Sequence, residues 1–543
     1  MITVVLFLIS WALFAWGQPH ISPVLSALAS SFGLALMWFA LLRIRSKKAR
    51  YIVSALWFFA VQLVQLSWFA SPTYQGTYIY FVYGGIALWL GAEFGILSLF
   101  LPKKGPISFR RILGISALWT LLEWSRLFVL CGFAWNPIGL SLTGFNISSQ
   151  LASVIGVFGL SFLVMGINLL GVNLCYRRNK RALLTYGGVL LFPYLFGAFH
   201  LDFHERKDRK GPYHVALVQT ALLPDEKDYY YGKEDRFVHP YLQWYSIVTY
   251  LKSHSDKNLD LIVLPEYALP FGSHAKVYAF RDMAPFMEGE LGDLSSLLVE
   301  PFAEKREGKW YVSNSFWAQA LADYYQAELV MGLDSKDGKD HYNAAFHFSS
   351  KGAREITRYE KRVLLPLAEY LPFTFLKPLV ARYGITNFFT HGKEAKVIGE
   401  EHPMSLSVCY EECFPHVMRE GRVKGAKLFV NVTNDGWYPY SRLPEEHYIH
   451  GRIRSIENGV PLLRACNTGV TAGVDSLGRT VARFENGDGS FELEKGALFI
   501  PLDLYSYPTL YTFWGDTFIV LISLVSLIFL RNPLAEKRES DLS

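Results

Sequence analysis

Cysteine is scarce in this chain, and its copies form no recognisable framework. The 543 residues include five cysteines, and no two of them make a CxxC pair: Cys131, Cys175, Cys409, Cys413 and Cys466. This excludes a disulfide scaffold and a cysteine-pair metal site. Glycine and proline show no compositional bias, and no internal repeat is present, so collagen-like and disordered proteins are excluded as well.

Charged residues are also few, at 19% of the chain against about 25% in soluble domains. The net charge of +5 is modest. It comes mostly from short Lys and Arg clusters beside apolar runs, so nucleic acid is not an expected partner. No motif implies a metal or an organic cofactor, and we expect neither.

Long apolar runs fill the first two hundred residues. A membrane-spanning helix needs about 20 predominantly apolar residues. Seven runs come close to that length and an eighth lies near the C-terminus: 1–17, 22–42, 51–70, 78–101, 112–133, 149–176, 182–199 and 514–530. The first run resembles a signal peptide in length, but it has no basic n-region and no evident cleavage site. The pattern predicts an α-helical bundle of eight spans.

Basic residues alternate between the connections of these runs. Loops 43–50, 102–111 and 177–181 carry five, four and four Lys or Arg residues, and loops 18–21 and 71–77 carry none. By the positive-inside rule both termini lie in the cytoplasm. The basic residues after the seventh run open a long domain, and long domains translocate largely regardless of charge.

Glu123 and Arg126 lie within the fifth apolar run, on one helical face. Ionisable groups in hydrocarbon are costly and usually functional. Two interpretations stay open: a pair that satisfies itself and orients the bundle, or a contact with a lipid headgroup.

The predicted domains are a seven-span bundle at 1–199, an outer domain at 200–512, and a final helix with a cytoplasmic tail at 513–543. The outer domain is predicted to be an α/β sandwich with helices covering its sheets. Helical patterns cover 238–254, 314–326 and 445–459. Nine strand-like runs are present: 214–220, 259–266, 327–334, 341–349, 405–412, 427–435, 461–469, 479–485 and 496–502. Segment 273–313 has little periodicity, which is typical of a lid, a binding loop or disorder.

Three residues of the outer domain could form a nucleophilic site. Glu266 and Cys409 each follow a strand, where α/β sites open, and Lys361 lies in a loop with Glu369 eight residues on. The carboxylate could take the thiol proton while the cation favours the thiolate and stabilises an oxyanion. Taken alone, each of these residues more often has a structural role. Their spacing leaves open whether they form a nucleophilic site or are structural.

The motifs PEYALPF, YEKRVLLPLAEYLPF and VCYEE, with NAAF at 343–346 and VTNDGW at 432–437, resemble the nitrilase (carbon–nitrogen hydrolase) superfamily. That superfamily implies an αββα sandwich. Such a domain between seven spans and a final one is similar to the apolipoprotein N-acyltransferase family. In place of that family's tryptophan after the first strand, this chain has a tyrosine-rich stretch that includes Tyr229.

The resemblance implies roles for individual residues. Glu266 would be the general base, Lys361 the cation that stabilises the intermediate, and Cys409 the nucleophile. Glu369 would support the site, and Tyr410 and Glu411 would shape the pocket behind the nucleophile. Cys413 lies outside the signature and ranks behind Cys409.

The resemblance also implies a reaction and its partners. A phospholipid would donate an acyl chain through a cysteine thioester to the diacylglyceryl-cysteine of an apolipoprotein. The enzyme would be a multi-pass protein of the bacterial inner membrane with its catalytic domain on the periplasmic side. The apolar stretch 367–390 could dip into the membrane or simply pack. Two rival functions are a membrane-tethered amidase that uses water and a non-enzymatic transporter or scaffold.

Overall fold

The computed structural model describes residues 1–19, 21–177, 179–207, 211–227, 234–253, 258–350, 356–381, 388–399 and 401–530. Tyr229 lies outside these residues. The chain separates into two compact units. The first comprises 1–207, 456–458 and 508–543, and the second comprises 208–455 and 459–507.

The first unit is helical. Its helices are Ile2–Gly17, Pro23–Leu28, Leu34–Leu41, Lys47–Gln65, Pro72–Gln75, Ile79–Leu97, Phe109–Ser125, Asn146–Ser149, Ala152–Tyr176, Lys180–Glu205, Leu510–Trp514 and Thr517–Ser526. A π-helical turn at Ala29–Gly33 joins the second and third helices.

The prediction of eight spans is confirmed for four. Within the described part of the chain, the helices long and apolar enough to cross a membrane are Pro23–Leu41, Ile79–Phe100, Ala152–Tyr176 and Lys180–Glu205. The other four predicted runs do form helices. Those at Ile2–Gly17 and Thr517–Leu530 are short. Two more carry basic residues in their first turn and polar side chains further along, which lowers their hydropathy: Lys47–Gln65 and Phe109–Ser125.

Arg126 forms a salt bridge with Glu93 and not with Glu123. Its Nε lies 2.8 Å from Glu93 Oε2. The Arg126 guanidinium also lies over the Trp119 ring, 4.8 Å from its centroid. Glu123 accepts a hydrogen bond from the Ile138 backbone N–H at 2.8 Å. Both residues are buried. Each of the two charged side chains therefore has a polar partner on another segment of the first unit.

The second unit contains fifteen described strands. In chain order they are β1 Tyr213–Gln219, β2 Leu261–Leu264, β3 Tyr278–Ala279, β4 Ala303–Arg306, β5 Lys309–Val312, β6 Glu328–Asp337, β7 Asp340–Phe348, β8 Ile356–Glu360, β9 Val397–Ile398, β10 Met404–Val408, β11 Leu428–Thr433, β12 Leu462–Cys466, β13 Ala472–Val474, β14 Thr480–Arg483 and β15 Gly496–Leu502. Its helices are Pro224–Lys227, Pro240–Lys252, Phe280–Leu291, Asn314–Tyr325, Lys377–Ala381, Pro415–Val423 and Leu443–Asn458.

Two six-stranded sheets form the centre of this unit. Their orders are β15-β1-β2-β6-β7-β8 and β14-β13-β12-β11-β10-β9. The strands β1, β2 and β6 are parallel, as are β10, β11 and β12. Apolar side chains from both sheets form one buried core, including Leu217, Val263, Val430 and Leu463. Facing parallel triplets explain the continuous apolar runs seen in the sequence, because both faces of such strands are buried.

Helices cover the outer face of each sheet. Trp244 and Trp317 pack from two helices onto the first sheet, and Met418 and Tyr448 pack from two others onto the second. The predicted α/β sandwich is therefore confirmed, with layers in the order helix, sheet, sheet, helix. All nine predicted strands and all three predicted helices are present.

Segment 273–313 is more ordered than predicted. It contains the helix Phe280–Leu291 and a three-stranded sheet in the order β3-β5-β4. The turn between β4 and β5 has Glu307 and Gly308 at φ of 48° and 79°. Charged side chains on these short strands hid their periodicity, because strands this short and exposed need not alternate cleanly.

Candidate active site

Glu266 follows β2 at the carboxyl end of the parallel triplet. Its backbone passes so close to β6 that a Cβ on Gly332 would lie 2.5 Å from the Glu266 Cα. The Gly332 N–H donates to the Pro265 carbonyl, and the Ala268 N–H donates to the Gly332 carbonyl. A glycine at this β6 position therefore lets the loop that carries Glu266 lie against the sheet.

Lys361 follows β8, and two carboxylates surround its ammonium. The Nζ atom lies 2.8 Å from Glu369 Oε1 and 3.3 Å from Glu266 Oε1. The Asn343 amide bridges the same two oxygens, donating at 2.7 Å to Glu266 and at 3.0 Å to Glu369. An ammonium has three donors, and the two carboxylates account for two of those of Lys361 within the described part of the chain.

Cys409 begins the turn after β10 with a φ of 53°. This left-handed backbone is uncommon for a residue with a side chain and is a form of strain found at functional sites. The Cys409 thiol lies close enough to Glu266 and Lys361 for both of their charges to shift its pKa. Cys409 is partly exposed whereas Cys413 is buried. The structure therefore brings Glu266, Lys361 and Cys409 together from the ends of three strands, β2, β8 and β10.

The electrostatics of the three groups follow from burial and mutual charge. Burial raises the pKa of Glu266, and Lys361 only partly opposes this effect. Burial lowers the pKa of Lys361, but Glu266 and Glu369 outweigh it, so the pKa lies well above its usual value. Burial and the charge of Glu266 hold the pKa of Cys409 well above its usual range despite Lys361.

The resting sulfur therefore carries its proton. We expected the cation to favour the thiolate, and Lys361 does lower the Cys409 pKa, but burial and Glu266 exert the larger effect. A thiol of this kind needs a base at the moment of attack. The carboxyl group of Glu266, whose charge acts on the thiol and whose own pKa is raised, is the candidate for that base.

Glu411 joins the nucleophile turn to the lysine loop. Its two carboxylate oxygens accept hydrogen bonds from the N–H groups of Val408, Arg362 and Val363 and from the Tyr359 hydroxyl, at 2.6 to 3.2 Å. Burial raises its pKa in spite of these donors. Tyr410 is buried and packs edge-on against Phe414. Two of these donors, Val408 and Arg362, are the chain neighbours of Cys409 and Lys361. Glu411 therefore fixes the position of one segment relative to the other.

Asn343 is the contributor that the sequence reasoning did not assign. The NAAF motif was part of the resemblance, but no role followed from it. Its amide lies on β7 and ties the two carboxylates together, which only the pairing of β7 with β6 and β8 reveals. No group of three or more His, Cys, Asp or Glu side chains suited to a metal ion occurs among the described residues.

Comparison with known proteins agrees with this architecture. Residues 239–490 match the carbon–nitrogen hydrolase family, and residues 12–170 match the apolipoprotein N-acyltransferase N-terminal domain. Among solved structures, an amidase of the nitrilase superfamily from Nesterenkonia AN1 is similar at 18% identity, covering 54% of this chain and 92% of that chain with a TM-score of 0.34.

Curated relatives match almost end to end. The apolipoprotein N-acyltransferase of Chlamydia caviae is 32% identical over 97% of this chain and 97% of its own length. The one from Chlamydia trachomatis is 32% identical over 96% of this chain and 95% of its own. With that identity over nearly the full length, and with both family models matched in order, the chain belongs to the apolipoprotein N-acyltransferase family.

Proposed function

We propose that this chain transfers an acyl chain from a membrane phospholipid, through a thioester on Cys409, to the N-terminal diacylglyceryl-cysteine of apolipoproteins. Family membership supports the N-acyltransferase activity. The observation that carries the site assignment is the 3.3 Å ion pair between Lys361 and Glu266, together with the effect of both charges on the pKa of the Cys409 thiol.

The acylation step gives each of the three groups a role. Glu266 takes the thiol proton as sulfur attacks the ester carbonyl, and a C–S bond forms. An N–H of Lys361 stabilises the oxyanion. When the C–O bond breaks, Glu266 returns the proton to the leaving glycerol oxygen, so a lysophospholipid departs and Cys409 carries a thioester. Glu369 and Asn343 act as positioning residues for Lys361 and Glu266.

The proposal also covers the membrane arrangement. The first unit would be the membrane part with eight spans, and the second unit would be the catalytic domain on the periplasmic side of the inner membrane. The basic loops 43–50, 102–111 and 177–181 support this orientation. The four helices below the length or hydropathy of a full span would then cross by locally thinning the bilayer or by snorkelling of their basic ends.

A membrane-dipping arm is part of the same proposal. Phe373 and Phe375 lie in the 367–390 stretch and are 50% and 75% exposed. Their rings stack on each other at 5.6 Å between centroids. Two adjacent exposed aromatic rings are suited to a lipid interface. They would bring acyl-chain substrates to the catalytic domain without passing them through water.

Replacing Cys409 by alanine tests the site. We expect Cys409→Ala to lose N-acylation of a diacylglyceryl-cysteine peptide in detergent with phospholipid. The matched control Cys413→Ala should keep activity within about twofold, because it removes only a buried sulfur outside the reacting groups. Mass spectrometry of the wild type after exposure to phosphatidylethanolamine should show a hydroxylamine-labile acyl adduct on Cys409.

Three results would contradict the proposal. Activity in Cys409→Ala would exclude this nucleophile. Turnover of simple amides without lipid would favour the amidase. Absence of any acyl adduct on the wild-type protein would favour a scaffold.

A further inference from the structure

Asn431 lies on β11, beside the strand that leads to the nucleophile. In the parallel pairing of β10 with β11, Asn431 is opposite Ser407, two residues before Cys409. Its side-chain amide donates two hydrogen bonds, to the Ser407 hydroxyl at 3.1 Å and to the Cys409 backbone carbonyl at 3.2 Å. Asn431 therefore binds the backbone of the residue that carries the sulfur, although it lies 22 residues further along the chain.

The orientation of the amide follows from its partners. A backbone carbonyl can only accept a hydrogen bond, so the group of Asn431 that faces the Cys409 carbonyl has to be the NH2 and not the oxygen. An NH2 group has two N–H donors, and the two acceptors on β10 and its turn take one each.

The Cys409 carbonyl is the first one beyond the strand pairing. The paired residues of β10 and β11 end with Val408 and Val432. At Cys409 the backbone enters the left-handed region, with a φ of 53°, and the turn Cys409–Cys413 follows. The Asn431 amide continues the connection between the two strands at the point where their backbones stop pairing.

This hydrogen bond acts on the geometry of the nucleophile. The peptide unit after Cys409 is planar, so holding its carbonyl fixes the ψ angle of Cys409. A left-handed backbone in a residue with a side chain is strained and persists only where the surroundings impose it. Glu411 holds the segment before Cys409 through the Val408 N–H at 2.8 Å, and Asn431 holds the peptide after it. The direction of the Cys409 side chain depends on both contacts.

Asn431 is an unfavourable residue to bury for stability alone. Its side chain is 0% exposed, and within the part of the chain that the structure describes its Oδ1 has no hydrogen-bond partner. A buried amide oxygen without a partner destabilises a fold, whereas an apolar side chain of the same shape avoids that cost. The amide therefore suits this position because of what it donates to, and one of its two acceptors is the nucleophile's own carbonyl.

We propose that Asn431 is a positioning residue for the nucleophile, whose amide fixes the backbone of Cys409 and so presents the thiol to Glu266 and to the acyl ester. The inference rests on the proposed function, with Cys409 as the nucleophile. Without the amide, Cys409 relaxes toward more common backbone angles. The sulfur then spends less time in the position from which it attacks, and the acylation rate falls.

Two substitutions of Asn431 test this role in the full-length protein in detergent. Asn431→Leu keeps the branched shape without the donors, and Asn431→Val lacks them in a smaller side chain that suits a strand. For both we expect single-turnover acylation by phosphatidylethanolamine to slow about thirtyfold at saturating lipid. The lipid concentration at half-saturation should stay within about twofold, because a fully buried side chain does not contact the substrate.

The matched control is Ser407→Ala. It removes the other acceptor of the same amide, is equally buried, and leaves the hydrogen bond to the Cys409 carbonyl in place. We expect its acylation rate to stay within about twofold of the wild type. The thermal midpoint of Asn431→Leu should change little, since the loss of two hydrogen bonds is offset by removal of the unpaired oxygen.

The outcomes separate this inference from the proposed function. Wild-type acylation rates in the folded Asn431 variants, a deficit in only one of them, a deficit confined to half-saturation, or an equal deficit in Ser407→Ala overturns the positioning role. Failure of both variants to fold also overturns it, because Asn431 would then be structural. Each of these results leaves the acyltransferase proposal intact. A wild-type protein that forms no acyl-enzyme on Cys409 overturns the proposed function and this inference with it.

Discussion

Two buried charge clusters lie in the second unit, and they are built for opposite purposes. The first is the Cys409 cluster, which consists of Cys409, Glu266, Lys361, Glu369 and Asn343. The second is the Arg464 cluster, which consists of Arg464, Glu412, Asp435 and His447. Both place carboxylates around a single buried side-chain cation, Lys361 in one and Arg464 in the other.

The Arg464 cluster is closed to solvent. Arg464 lies 2.6 Å from Glu412 and 3.4 Å from Asp435, and His447 contacts both of the same carboxylates at 3.1 and 2.9 Å. All four side chains are at most 2% exposed. Burial raises the pKa of Asp435, but His447 and Arg464 outweigh it, so the pKa ends below its usual value.

The Cys409 cluster leaves its charge incompletely balanced. Two carboxylates share one ammonium, and burial keeps the pKa of Glu266 raised. Glu369 is 13% exposed and Cys409 is partly exposed, so a substrate can reach the thiol. A raised carboxyl pKa beside a reachable thiol is typical of catalysis, whereas a lowered pKa in a sealed network is typical of structure. The comparison predicts that the two clusters respond oppositely to mutation.

The largest expected effect is on activity at Glu266. Glu266→Gln should slow acylation of Cys409 about a thousandfold, because the base that takes the thiol proton is gone. The thermal midpoint should stay unchanged or rise, since the raised pKa shows that the ionised form of Glu266 is disfavoured in the folded protein. Single-turnover acylation and thermal unfolding in detergent measure the two effects. A normal acylation rate would remove Glu266 from its proposed role.

The second effect is on stability at Arg464. Arg464→Met should cost about 3 kcal/mol of folding free energy, because it leaves two buried carboxylates without their cation. Thermal unfolding should show a clear fall in midpoint, and the double variant with Glu412→Gln should recover part of it. An Arg464→Met variant as stable as the wild type would show that Arg464 does not stabilise the fold by compensating these two carboxylates.

The smallest effect is a shift in the pH profile. The negative charge of Glu369 raises the pKa of Glu266, so Glu369→Gln should lower that pKa. The base form of Glu266 then persists to lower pH, and the acidic limb of kcat/KM moves to lower pH. We expect the plateau to fall about tenfold because Lys361 loses a positioning partner. An acidic limb that moves to higher pH would contradict the assigned charge coupling.

Sequence patterns predicted the sandwich well because its central strands are parallel and buried on both faces. Such strands leave continuous apolar runs, and all six parallel strands were predicted, together with the antiparallel strands β7, β14 and β15. The strands that were missed are short or only partly buried. The hairpin of β4 and β5 carries charges on short exposed strands, and β8 reads as ITRYE, with polar and charged residues around its apolar ones. Four of the eight predicted runs form helices that are shorter or more polar than a full span, since apolar character in a window does not give the length of the helix that forms.

The candidate residues themselves were visible in the chain. Glu266, Lys361, Glu369, Cys409, Tyr410 and Glu411 lie at strand ends in motifs that resemble one family, and the structure gathers them around one thiol. The linear order could not reveal Asn343 as a bridge, Glu93 as the partner of Arg126, or Asn431 beside Cys409. Each of these depends on which strands or helices become neighbours.

The amino-acid sequence alone determined where apolar and charged segments begin and end, the strand runs of the catalytic unit, and the residue types available for acyl transfer. These properties are local, because hydropathy, propensity and motif spacing are set within a few tens of residues. The tertiary structure alone decided which charged side chains contact one another and which of these clusters are closed to solvent. Burial and neighbouring charges from distant segments set the protonation of a thiol or a carboxyl, and no stretch of sequence contains that information by itself.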